Sequence, residues 1–261
     1  SVLEPLRWRG DPTPLAVQPE PTVFEIAARA GVTVATITAG EYRDSGLTRA
    51  TLRGGDYWPV VDVADRVAAL RAVQASADRS LSYVYWPTLD RTGHEFGVAS
   101  EQWRAALAEV DVLVGALMEA LAPGGVMVVT ADHGMVDCPA HEAVLVDDLP
   151  ALTAGVRIVA GEPRARHVYA LPGAAQDVAA SWSATLGDRA EVMTRAEVVE
   201  GGLLGPVDPM LVDRIGDVMA VARGATLLAT RWDSKVSALL GQHGALTADE
   251  VAVPALRYRA D

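Results

Sequence analysis

Three of the five histidines in this chain sit in glycine-flanked segments that could do metal chemistry. Asp132 and His133 follow the apolar run Val126-Met127-Val128-Val129-Thr130-Ala131 and precede Gly134. Asp90 and His94 bracket Asp90-Arg91-Thr92-Gly93-His94, and His243 lies in Gly241-Gln242-His243-Gly244. Carboxylate oxygen together with neutral imidazole nitrogen is a ligand set for a divalent cation such as zinc or manganese. The Asp90-x-x-x-His94 spacing lets one carboxylate and one imidazole converge on a single ion. Asp132 and His133 diverge on a regular strand, because successive side chains point to opposite faces, but can converge where the strand breaks at Gly134. Each segment alone also reads as an Asx turn with a surface histidine. Three of them in one chain point to a metal site.

The elements that must position these residues alternate. Residues 1–21 hold five prolines and no periodicity, which predicts an extended surface segment. Thr22 caps an amphipathic helix over 22–30, ended by Gly31, and the β-branched run 32–38 predicts a strand. A helix over 62–77 presents Val63, Val67, Leu70 and Val73 inward. A strand over 81–86 follows, with Asp90 and His94 in the loop beyond it. Ser100 caps a long helix with Leu107, Val110, Val114, Leu117 and Leu121 inward and Asp111 near the core side. Pro123-Gly124-Gly125 then turns the chain into the strand that delivers Asp132 and His133. Such alternation implies a mostly parallel sheet with helices on both faces and ligands at the carboxyl ends of its strands.

Beyond His141 the pattern loosens. Short accessory strands are expected at 144–146, 156–159 and 167–171, helices at 174–186 and 194–200, and a pair of strands at 215–222 and 225–230 around Arg223-Gly224. His141 reads as an exposed loop residue and His167 as a structural histidine satisfied by hydrogen bonds. Arg164 and Arg166 read as a solvated strand edge rather than an anion clamp.

Composition narrows the partners. A formal charge of −12 argues against a nucleic-acid backbone. It says little about a small phosphorylated substrate, since two bound cations would reverse the sign locally. The single cysteine, Cys138, excludes an intrachain disulfide and a Cys-x-x-Cys site, and reads as a small buried apolar residue. No stretch reaches the ~20 apolar residues that span a bilayer, and residues 1–8 show no signal-peptide pattern, so the expectation is a cytoplasmic chain without a membrane partner.

Three stretches then match a family in order: Tyr85-Trp86-Pro87-Thr88-Leu89-Asp90-Arg91-Thr92-Gly93-His94-Glu95-Phe96-Gly97, Val129-Thr130-Ala131-Asp132-His133-Gly134-Met135 and Gly241-Gln242-His243-Gly244-Ala245-Leu246-Thr247. Over about residues 22–256 the chain resembles the type I phosphodiesterase/nucleotide pyrophosphatase family of the alkaline phosphatase superfamily. The resemblance implies an α/β fold, a three-layer α/β/α sandwich, and two divalent metal ions, usually Zn2+. Asp90, His94 and His243 would hold one, and Asp132 and His133 would belong to the other. It implies hydrolysis of a phosphodiester or pyrophosphate in a small substrate such as a nucleotide, by in-line attack on phosphorus.

The family's further metal-binding aspartate, in a strand-end Asp-Gly motif, and its Thr or Ser nucleophile have no counterpart here. Asp11 precedes a proline in a Pro-rich coil, and Ser45 and Thr48 follow the 22–30 helix that the family's nucleophile precedes, so both read as turn and cap residues. The expectation is one domain over 1–261 corresponding to the C-terminal two-thirds of such an enzyme, with a central strand missing and residues 1–21 lying on the surface. A continuous sheet through 32–38, 81–86 and 126–131 would contradict that. The rival readings are another hydrolase of the superfamily (a phosphonoacetate hydrolase or a sulfatase), a cofactor-independent phosphomutase, and a non-catalytic metal-binding remnant.

Overall fold

A computed structural model describes Trp8 and residues 12–261. These residues group into two compact units. The first holds Trp8, 12–89, 105–129 and 255–261, and the second holds 90–104 and 130–254.

In the first unit, β1 (Thr33–Thr38), β2 (Asp56–Pro59) and β3 (Ser80–Val84) form a parallel sheet in the order β2-β1-β3. The helix Val23–Arg29 feeds β1, and its start is fixed by a capping box between Thr22 and Glu25. The helix Val63–Ser76 begins at Asp62, whose side chain accepts from the Asp65 amide. Ala69, Leu70 and Val73 from that helix, Ala35 and Ile37 from β1, and Leu113, Leu117 and Ala120 from the helix Glu101–Ala120 make one core. The long helix meets its expected face in part: Leu117 is buried and Val110, Val114 and Leu121 are half-buried, but Leu107 and Asp111 are exposed, and Ala106, Leu113 and Ala120 complete the buried seam. Small Ala106 and Ala120 let a neighbour approach closely, and the sequence is apolar on both candidate faces, so packing chose the seam. Arg66, expected on no core face, is buried; its guanidinium donates to the carbonyls of Val61 and Asp62 and lies over the Trp86 ring.

The expected Pro-rich coil is partly ordered. Pro14–Val17 makes a helical turn, and Trp8 is buried with its indole N–H donating to Pro12 O. Residues 1–7 and 9–11 of that segment lie outside the described residues.

Strand β4 (Val126–Thr130) does not join the β2-β1-β3 sheet. It pairs with the C-terminal strand Ala255–Arg259 alone among the described residues. The sheet is therefore not continuous through the three expected strands. On β3 and β4 the residues facing away from the core are apolar yet open to solvent: Leu81 is 36% exposed, Tyr83 39%, Val126 48% and Val128 63%.

The second unit holds short β5 (Val136–Asp137) and β6 (Ala143–Leu145), then β7 (Val156–Glu162), β8 (Ala165–Ala170), β9 (Ala190–Thr194) and β10 (Val218–Ala222) in an antiparallel sheet of order β7-β8-β10-β9. The helix Ala175–Leu186 packs Val178, Trp182 and Leu186 against Val168, Val218 and Ala220 of that sheet. The expected pairing around Arg223-Gly224 does not occur: β10 pairs with β8 and β9, while β11 (Leu227–Ala229) runs parallel to β6. Finally β12 (Gly241–Gln242) pairs with β5, which joins the His243 segment to the one after His133.

Candidate metal centre

All five candidate ligands fall in the second unit. Asp90 and His94 stand on the helix Thr88–Phe96, where a loop was expected. The reason was legible in their spacing: residues four apart share one helix face. His94 Nε2 lies 3.4 Å from Asp90 Oδ1. His133 Nε2 lies 4.0 Å from the same oxygen and 3.8 Å from Asp132 Oδ1. The His133 and His243 rings stack at 3.5 Å between centroids, and the His94 and His243 rings are 5.2 Å apart. The ligand atoms of Asp90, His133 and His243 come within 4.8 Å of one another. Asp132 stands at the rim, with its side chain 75% exposed.

The segments meet because glycine allows the backbones to touch. A Cβ on Gly241 would sit 2.3 Å from Gly93 O, and one on Gly134 would sit 1.9 Å from Asp249 O. These glycines serve close approach as well as turning. His94 Nδ1 is 2.7 Å from Gly241 O, a contact made possible by that approach. His133 Nδ1 is 2.8 Å from Gly134 O.

A carbonyl only accepts, so each Nδ1 carries a hydrogen, which leaves Nε2 as the ligand atom of the neutral ring that binds a metal. Both Nε2 atoms face Asp90 Oδ1. That oxygen is buried and has no hydrogen-bond partner. Buried polar atoms are rarely left so, and a cation among three lone pairs satisfies all of them. Burial, reinforced by the neighbouring His133 and His94, pushes the His243 imidazole down to about 4. Its ring is consequently neutral at physiological pH, the form that binds metal. The donor set fits a divalent ion of the zinc type.

The remaining candidates resolve simply. Ser45 is buried at the N-cap of the helix Gly46–Thr51; its oxygen accepts from the Thr48 amide and its hydroxyl donates to Thr48 Oγ1. His141 is exposed. His167 accepts from the Gly216 amide through Nδ1, and burial lowers its pKa. Cys138 is buried, and desolvation raises its thiol. Arg164 and Arg166 correct the expectation of a solvated edge: both are fully buried, paired with Glu250 and Asp233. No sequence signal marks these pairs, since their members lie 86 and 67 residues apart.

The chain has an alkaline phosphatase-like α/β fold, shown by its likeness to two solved structures. Murine ectonucleotide pyrophosphatase/phosphodiesterase 5, an inactive variant in complex with AMP, superposes with a TM-score of 0.70 at 20% identity, over 91% of this chain and 63% of that one. Phosphonoacetate hydrolase from Sinorhizobium meliloti 1021, in complex with phosphonoformate, superposes with a TM-score of 0.63 at 21% identity, over 92% of this chain and 68% of that one. Bovine bis(5'-adenosyl)-triphosphatase ENPP4 is 27% identical over 100 residues, 35% of this chain and 22% of that protein. Residues 4–246 match the profile of the type I phosphodiesterase/nucleotide pyrophosphatase family, and the chain belongs to that family. It spans less than two thirds of the length of the murine and bovine relatives.

Proposed function

We propose that this chain carries the metal-binding part of a phosphoric-ester hydrolase that cleaves a phosphodiester or pyrophosphate in a small substrate, with a nucleotide as the favoured class. The observation that carries the reading is the orphaned Asp90 Oδ1, faced by two imidazole nitrogens whose other ring atoms are already bonded. Asp90, His94 and His243 would hold one divalent ion, with His133 close enough to share it, and Asp132 and His133 would belong to a second. Bound cations would neutralise charge on the oxygens of a phosphoryl group undergoing in-line displacement.

The residues themselves do three things. Backbone carbonyls fix the rings of His94 and His133, burial keeps His243 neutral, and the two aspartates supply anionic oxygen. The nucleophile is proposed to come from a part of the whole protein outside these residues. The open edges of β3 and β4 and the relatives' greater length support this. The AMP bound by the murine relative and the bis(5'-adenosyl)-triphosphatase name of the bovine relative favour a nucleotide.

Metal content tests the reading. The purified chain should retain or take up Zn2+, and Asp90→Asn should weaken binding by more than the ~10–100-fold typical of outer-shell changes. Equal metal content in wild type and Asp90→Asn would remove the assignment.

A further inference from the structure

Glu250 lies outside every motif, yet it touches both histidine-bearing turns of the second unit. Its Oε1 accepts from Arg164 Nε at 3.0 Å and from the Ala245 amide at 3.0 Å. Its Oε2 accepts from Arg164 Nη2 at 2.7 Å and from Thr247 Oγ1 at 2.6 Å. Its backbone carbonyl accepts from the Gly134 amide at 2.7 Å. The carboxylate thus ties down the turn after His243, while the same residue's main chain ties down the turn after His133. Glu250 is 3% exposed and Arg164 0%. Arg164 is itself fixed, with Nη1 donating to Thr226 O at 2.5 Å.

We infer that Glu250, locked by Arg164, is a positioning residue that sets the separation of His133 and His243 and so the geometry of the metal site. Two physical arguments support the role. A buried ion pair adds little net stability compared with apolar residues of the same volume, so stability alone is a weak reason for one here. Glu250 also belongs to the four-residue helix Ala248–Val251, too short to hold its place by its own hydrogen bonds. The carboxylate anchors that helix, and its backbone lies directly against Gly134, where a Cβ would meet Asp249 O. Moving the anchor moves both turns together. Every acceptor direction of the carboxylate is used, so glutamine, with a donor in place of one oxygen, cannot reproduce the arrangement.

The inference rests on the metal-site reading, and the test separates the two. Glu250→Gln, Thr247→Val and a control, Val178→Ala in the core of the same unit, are compared in the full chain. Amide exchange at Gly134 and Ala245 is read without metal, and Co2+ affinity is read from its visible spectrum. The two site variants should speed exchange at Gly134 and Ala245 beyond what their global stability accounts for, and weaken Co2+ binding by ~10–100-fold. The control should lower stability and leave affinity unchanged. If all three variants weaken Co2+ in proportion to stability, or if Glu250→Gln leaves exchange and affinity intact, the positioning role is wrong. A wild type that ignores Co2+ while Gly134 and Ala245 still respond to Glu250→Gln would overturn the metal reading and keep the positioning role. Should Glu250→Gln not fold, Thr247→Val decides, since it removes one hydroxyl and keeps the ion pair.

Discussion

At the scale of single residues, the chemistry depends on which nitrogen of each imidazole is free. Asp90 Oδ1 faces two Nε2 atoms whose rings are held at Nδ1 by the Gly241 and Gly134 carbonyls. His243 adds a pH signature. Its folded pKa of about 4 lies below the 6.5 of an unfolded histidine, and His167 is shifted in the same direction. A neutral histidine in the fold that protonates when unfolded favours unfolding as acid is added. In chelator, stability should be complete above pH ~6.5 and fall as pH drops towards 4. The His243 share has a ceiling of roughly 3 kcal/mol, reduced to about 1–2 kcal/mol by its partial exposure. Denaturant midpoints at pH 7 and pH 5 check this: His243→Gln should flatten the difference, and an unchanged difference would reject the assignment.

At the scale of elements, the exposed apolar faces and open edges of β3 and β4 stand out. A parallel sheet is normally covered on both faces, yet Leu81, Tyr83, Val126 and Val128 are open and Ser82 Oγ is buried without a partner. An unpaired edge of this kind recruits another strand. The expected outcome, in the isolated chain, is fast exchange at those amides of 81–84 and 126–130 that point away from β1 and from the C-terminal strand. Those amides should become protected when a further strand is supplied to the open edges. Slow exchange at both strands in the monomeric 261-residue chain would show that they need no further strand. Concentration-dependent protection would show a second copy filling the place instead.

At the scale of the molecule, the acidic surface and the separated motifs make a consistent enzyme only if a nucleophile is supplied. Ser45 is committed to a helix cap, so the 261-residue chain should hydrolyse a nitrophenyl nucleotide ester poorly or not at all. Removal of a catalytic nucleophile leaves only residual rate from binding and electrostatics. Robust turnover abolished by a chelator would instead mean that water serves as nucleophile on this chain. Among the described residues no helix is long and apolar enough to cross a membrane.

The sequence alone determined what depends on local rules. Thr22 and Ser100 announced helix starts because their side chains cap backbone amides within three residues. The β-branched run at β1 declared a strand, and three ordered motifs declared the family. Asp90 and His94 were found as residues but misplaced in a loop, although their four-residue spacing already carried the helix. Other features required the fold, because their partners are far apart in the chain. The long helix had two apolar faces, and only packing against Ile37 and Leu70 selected the one with Leu113 and Ala120. Arg164 and Arg166 looked like surface charges until Glu250 and Asp233 arrived from 86 and 67 residues away. The glycines beside each histidine could be read as turns, but their closeness of approach, backbone against backbone at Gly93 and Gly241, exists only once the turns have met. Hydrogen-bond capacity is written in each residue; which distant group satisfies it is decided by the tertiary structure.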